Sequence, residues 1–314
     1  MAKTYRASAP GSIMLFGEHA VLRNKLALVA AVSKRISVKL TPRLDNRIII
    51  NSNLGNYETS LDNFENNSLF KFVLTSIEHH LSLAPTGFDL EISSELSHQV
   101  GLGSSSAVVV ATLHCLMQWL INTIDTKILF YDARNIIQEV QGCGSGADVA
   151  ASVYGSIIAY RAENLELEKI SFQPEFTLKY SGYKTATPIV IEKVNNLIKN
   201  DPEKYKIIFD KMEQCVIKAK KAFEQKDLNL IGELMQEHNN YQKLLGTSDQ
   251  TLESLISQVI IQDNIYGAKI SGSGLGDCIV ALGKTGKTGK ITPKEIIPIN
   301  LSSEGVRCEG EYNN

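Results

Sequence analysis

Apolar residues recur at two different spacings along this chain. Ile36, Val38 and Leu40 alternate with polar neighbours over Arg35 to Leu40, an Ile run fills Arg47 to Asn51, and Phe88, Leu90 and Ile92 alternate over Gly87 to Ile92. A period of two buries one face of a strand, so these stretches predict strands. Between them Leu69, Phe72, Val73, Ile77 and Leu81 fall on one stripe of a helix expected over Ser68 to Leu83. Further helices are expected from Ser104–Ser106 to about Ile121 and from Asp125 to Val140, with a strand over Ser156 to Tyr160. Past Arg161 the texture changes to Lys/Glu-rich helical segments, Pro188 to Gln225 and Leu228 to Leu245, then Thr251 to Ile261. Two short strands, Ala268 to Ser271 and Asp277 to Leu282, flank the loop Gly272-Ser273-Gly274-Leu275-Gly276. The pattern predicts an α+β chain of two domains, 1–170 and 171–314.

Three segments carry candidate chemistry. Val100-Gly101-Leu102-Gly103-Ser104-Ser105-Ser106-Ala107 is a glycine-rich turn running straight into a helix of small and apolar residues. Glycines let backbone N–H groups approach an anion, a helix N-terminus adds partial positive charge, and serine hydroxyls bond phosphate or a metal ion. A capped helix after a tight turn uses the same residues. Gly142-Cys143-Gly144-Ser145-Gly146-Ala147-Asp148 delivers one carboxylate at the start of the apolar stretch Val149 to Tyr154. That Asp is either an N-cap or a general base beside the phosphate cradle. In Ala9 to Val21 an apolar strand ends in Gly17 and then presents Glu18 and His19, suited to a polar ligand or to a solvated turn. Ala281 to Thr288 fits a loose Walker pattern, but Gly289 and Pro293 stand where its helix should begin, so a solvated loop is expected. Neither a Ser/His/Asp triad nor a metal-ligand spacing of His, Cys and Glu is present.

Composition narrows the partners. The chain has 314 residues, 43% of them apolar and 21% charged, which is the make-up of a globular protein. Lys+Arg 32 against Asp+Glu 34 leaves a formal net charge of -2, so no broad positive field exists to hold nucleic acid or an anionic membrane. A polyanionic ligand must be read by a local site. Met1 to Ala9 is polar and leads into Pro10-Gly11, so no secretory leader is expected, and the most apolar window, Ala107 to Ile121, is too short to span a bilayer. Five scattered cysteines predict free thiols and a cytoplasmic protein.

In this order and at these distances the segments resemble the GHMP kinase superfamily, which includes galactokinase, homoserine kinase, mevalonate kinase and phosphomevalonate kinase. Ala9 to Val21 is similar to the mevalonate kinase opening, Val100 to Ala107 to the family's ATP-binding loop, and Lys269 to Cys278 to its third glycine motif. Leu244 to Ser248 followed by Leu252 to Leu255 adds a fourth match, and the coverage is most of the chain. The resemblance implies an N-terminal domain like the second domain of ribosomal protein S5 and a ferredoxin-like C-terminal domain, with ATP and substrate between them. It implies that Gly101, Leu102, Gly103, Ser104, Ser105 and Ser106 wrap the ATP phosphates, that Ser105 ligates Mg²⁺, and that Asp148 takes or orients the proton of the acceptor hydroxyl. Glu18, His19 and Thr185 would line the acceptor pocket, and Gly272, Ser273 and Gly274 would close the site. A homodimer is also implied.

Three departures bear on that reading. Ser12 stands where mevalonate kinases carry a catalytic Lys, and a hydroxyl supplies no positive charge. Ile137 occupies the position of a Mg²⁺-binding Glu, with Glu139 on another helix face. Leu275 replaces a usual Gly. The opening and the chain length favour mevalonate as acceptor, whereas Gly144 to Tyr154, Ser181 to Thr185 and Gly276-Asp277-Cys278 lean towards phosphomevalonate. A phosphorylated acceptor wants a basic cluster, for which Lys184, Lys193 and Lys269 are candidates. Loss of the Lys and the Glu also leaves room for a catalytically silent nucleotide- or metabolite-binding protein.

Overall fold

The computed structural model describes residues 3–96, 101–284 and 296–309. The first layer is an eight-stranded sheet. Its strands are β1 (Tyr5–Phe16), β2 (Ala27–Pro42), β3 (Arg47–Ser52), β4 (Gly55–Ser60), β5 (Phe88–Ser94), β6 (Ile157–Arg161), β7 (Glu166–Ile170) and the late β12 (Arg307–Cys308). The order is β12-β1-β2-β5-β3-β4, with β6 pairing both β2 and β7. Helices α1 (Lys71–Glu78), α2 (Ser104–Leu120), α3 (Thr126–Gln141) and α4 (Ala147–Tyr154) accompany it, and α2 and α4 pack on β1 and β2. α2 is buried along nearly its whole length, from Ser106 to Met117, as its largely apolar sequence demands.

β2 is sixteen residues long, whereas alternation predicts only Arg35 to Leu40. Ala27 to Val32 is buried on both faces beneath helices, so its residues run apolar without a period, and such a run does not distinguish strand from helix.

The second layer is a four-stranded sheet, β11-β8-β10-β9, built from β8 (Phe176–Tyr180), β9 (Ile265–Ser271), β10 (Cys278–Gly283) and β11 (Ile296–Ile299). Four helices belong to this half: α5 (Thr187–Asn200), α6 (Pro202–Gln225), α7 (Leu228–Leu244) and α8 (Gln250–Ile260). The expected helical span Pro188 to Gln225 splits at Asp201, whose side chain caps Lys204 N while Pro202 starts the next helix. The expected 171–314 unit also needs correcting at its end. Asn300 and Leu301 lie against Ser33 and Val32, and β12 pairs with Ala7 and Ser8, so the chain returns to the first sheet. Val100 and Thr285 to Thr288 lie outside the described residues. Cys115, Cys215 and Cys278 are buried, Cys143 is half-buried and Cys308 exposed, and all five are free thiols. No helix among the described residues is long and apolar enough to cross a membrane.

Candidate active site

Two helix N-termini open into one cavity of about 210 Å³ between the layers. α2 begins at Gly103 (φ 64°) and α4 at Gly146 (φ 89°), cap residues without side chains, although Ser145 Oγ accepts from Ala147 N at 3.2 Å at the start of α4. The capping reading of Ser104–Ser106 and of Asp148 therefore does not hold, because glycines take the cap positions, and first-turn residues of both helices line the cavity, where the helix ends carry partial positive charge. Close packing fixes the glycine loop. Ser12 N donates to Leu102 O at 2.9 Å, and a Cβ on Gly103 would collide with Ser12 Oγ. α4 is pinned to β1 by Ser152 Oγ on Pro10 O at 2.8 Å, and the loop before it by Tyr160 O–H on Ser145 O at 2.6 Å.

This packing brings Ser12 and Asp148, 136 residues apart, into contact. Ser12 Oγ donates to Asp148 Oδ1 at 2.7 Å. Withdrawal from water pushes the Asp148 carboxyl above its usual range, and Asp277 adds to that shift, while the Ser12 hydroxyl and the Lys184 ammonium oppose it. A carboxylate of raised pKa holds a proton better, as a general base must.

Sequence reasoning gave Asp277 no role. Its carboxylate accepts from Gly101 N at 2.7 Å and pairs with Lys184 Nζ at 3.2 Å, so it ties the α2 loop to the β8–α5 loop. The only signal was its place directly after the glycine motif. Of the three basic candidates Lys184 alone lines the cavity. Lys193 lies in an outer groove of α5, and Lys269 is fully buried against Glu18.

Glu18 reaches the cavity wall, but its carboxylate is engaged by Lys269, with His238 Nδ1 3.7 Å away. His19 sits at φ 60° after Gly17, and Nε2 contacts Ser273 O at 2.8 Å; an acceptor there requires Nε2 to carry the proton. Burial lowers the His19 pKa, so the ring is neutral, and Nδ1 has no protein partner among the described residues. Gly272 and Ser273 line the cavity, whereas Gly274 packs against Thr247 instead. Thr185 donates its hydroxyl to Leu275 O at 2.6 Å, and Thr187 is the threonine in the cavity wall. Ile137 and Gln141 close the far side. Glu139 is exposed and pairs with His79 at 2.8 Å, away from the site. Leu275 adopts φ 53°, the strained backbone expected where a Gly is replaced.

Comparison with known proteins bears on the same regions. The family model described as GHMP kinases N terminal domain matches residues 68–156, and that described as GHMP kinases C terminal matches 219–291. A mevalonate kinase of Archaeoglobus fulgidus is 31% identical over 304 residues, covering 96% of this chain and 99% of that protein. The structure of L. major mevalonate kinase in complex with R-mevalonate superposes with a TM-score of 0.76 at 22% identity, covering 94% of each chain. Streptococcus pneumoniae phosphomevalonate kinase in complex with phosphomevalonate and AMPPNP also gives 0.76, at 18% identity, covering 90% of this chain and 93% of that one.

Proposed function

The chain belongs to the GHMP kinase family, and on that basis we propose that it transfers the γ-phosphate of ATP to the primary hydroxyl of mevalonate. The observation that carries the reading is Asp148. Its carboxyl is raised in pKa, bonded to Ser12, and set in the wall of a cavity that two helix N-termini enter.

In this scheme the amides at the start of α2 and the hydroxyls of Ser104, Ser105 and Ser106 hold the ATP phosphates. Asp148 orients the acceptor hydroxyl and takes its proton as the new O–P bond forms and the bond to ADP breaks. The Ser12 hydroxyl fixes which oxygen of Asp148 receives that proton. The neutral His19 ring, held by Ser273 O, shapes the acceptor wall, and Thr187 offers a hydroxyl to the substrate. Glu18 contributes by holding Lys269 and the β1 end in place.

The residues also fit Mg²⁺. No group of three His, Cys, Asp or Glu side chains is gathered among the described residues, and Mg²⁺ bound chiefly by phosphates needs only one or two protein oxygens. Ser105, on the cavity wall, would supply such an oxygen. When bound, the ion neutralises charge on the β- and γ-phosphates.

Charge favours mevalonate over phosphomevalonate. Lys184 is the single Lys or Arg among the described residues lining the cavity, against Glu18, Asp148 and Asp277, so no basic cluster awaits a second phosphate. Asp148 on a raised pKa also argues for catalysis rather than silent binding. We place the protein in the cytoplasm, where its five free thiols stay reduced. ADP release from ATP and Mg²⁺, compared across mevalonate, phosphomevalonate, galactose and homoserine, tests the proposal, with mevalonate expected to be preferred.

A further inference from the structure

We propose that Lys184 is the cation that meets the γ-phosphate and the charge developing on it during transfer, and that Asp277 holds Lys184 ready between turnovers. This rests on the reading of the cavity as an ATP site. Phosphoryl transfer spreads negative charge over three oxygens, and a site that stabilises it needs a positive group aimed there. β1 offers none. Ser12 is 1% exposed and its Oγ abuts Gly103, leaving no room for a long side chain beside it.

Lys184 has the geometry for the task. Its backbone is clamped on both sides: Asp277 N donates to Tyr183 O at 2.7 Å, Ser181 N donates to Asp277 O at 2.8 Å, and Thr185 Oγ1 donates to Leu275 O. The side chain itself is 38% exposed and meets Asp277 at 3.2 Å. A fixed base with a mobile, solvated tip lets the ammonium leave one anion for another at small cost. Asp277 cannot follow it, because Gly101 N holds its other oxygen and the backbone is set at φ 66°. Lys184 and the base Asp148 line the same cavity.

The experiment uses the full chain and its Lys184→Met and Lys184→Arg variants, with calorimetric titration of ADP and of the non-hydrolysable analogue AMP-PNP, each with Mg²⁺. Lys184→Met is expected to weaken AMP-PNP about tenfold more than ADP, the order of one charge-assisted contact to a phosphate, and Lys184→Arg to keep most of the preference. In turnover Lys184→Met should lower kcat by about 10²- to 10³-fold and move the acid limb of kcat/KM to higher pH, because Asp148 loses the charge that opposes its raised pKa. A ratio of AMP-PNP to ADP affinity unchanged within about threefold in Lys184→Met overturns the proposal, whatever the effect on turnover. The titration needs no acceptor, so failure of mevalonate as substrate leaves this arm decisive.

Discussion

Glu18→Gln separates a structural carboxylate from a substrate-binding one. Glu18 and Lys269 are 2% and 0% exposed in their side chains, and the ammonium also donates to Ile270 O. Burial lowers the Lys269 pKa, and Glu18 is the group that opposes this and keeps the ammonium charged. Without Glu18 the cheapest outcome is a neutral lysine. An unfolded lysine titrates near 10.4, so at pH 7 the proton must be given up across about 3.4 pH units at about 1.36 kcal/mol each, a loss of roughly 4.6 kcal/mol. That matches the usual cost of about 3–5 kcal/mol for orphaning a buried charge and is a large share of a typical stability of about 5–15 kcal/mol. The sign with pH follows. In the variant the unfolded chain binds one more proton than the folded one, so its stability rises by about 1.4 kcal/mol per pH unit below pH 10. Urea unfolding at pH 7 and pH 9 should therefore show the deficit shrinking towards about 2 kcal/mol, with Glu18→Gln/Lys269→Met recovering most of it at pH 7. A deficit under about 1 kcal/mol at pH 7, or one that does not change with pH, would refute a charged buried pair.

Other outcomes follow from the same geometry. Asp148→Asn should reduce kcat by about 10²- to 10⁴-fold. Because the folded-state pKa of Asp148 is raised, its ionised form subtracts stability once the pH exceeds that pKa, so the variant's melting temperature at pH 8 should equal or exceed the parent's. Ser12→Lys, checked by melting and by turnover, should be neutral to harmful, since overpacking beside Gly103 costs about 1–3 kcal/mol and Lys184 already supplies a cation. Thr187→Val should raise the acceptor KM, whereas Thr185→Val should cost about 1 kcal/mol of stability in urea and leave that KM unchanged. EDTA should stop turnover while leaving the far-UV circular dichroism spectrum intact.

What could be read from the sequence was what is local. The period-two run at Ile36–Leu40 and the stripe Leu69–Leu81 marked a real strand and helix, although the regular helix runs only Lys71–Glu78 before a tight turn at Leu81–Leu83. Edge strand β7 and central strand β8 escaped notice because five residues, three of them charged in β7 and one in β8, make too weak a pattern. The glycine loops announced the site, since a left-handed turn before a helix needs glycine whatever the fold. The Asp277 bond to Gly101 N, spanning 176 residues, and the engagement of Glu18 by Lys269, spanning 251, were hidden. Each depends on how the two sheets meet, which no periodicity records. Lys184 stood among three candidates for the same reason, and burial separated them.

The most direct test is the product formed from ATP, Mg²⁺ and mevalonate by the purified protein, followed by ³¹P NMR. The expected result is a phosphomonoester on the mevalonate primary hydroxyl, appearing in step with ADP, and its disappearance with Asp148→Asn. A diphosphate formed from phosphomevalonate with mevalonate left untouched, or no phosphoryl transfer to either, would contradict it.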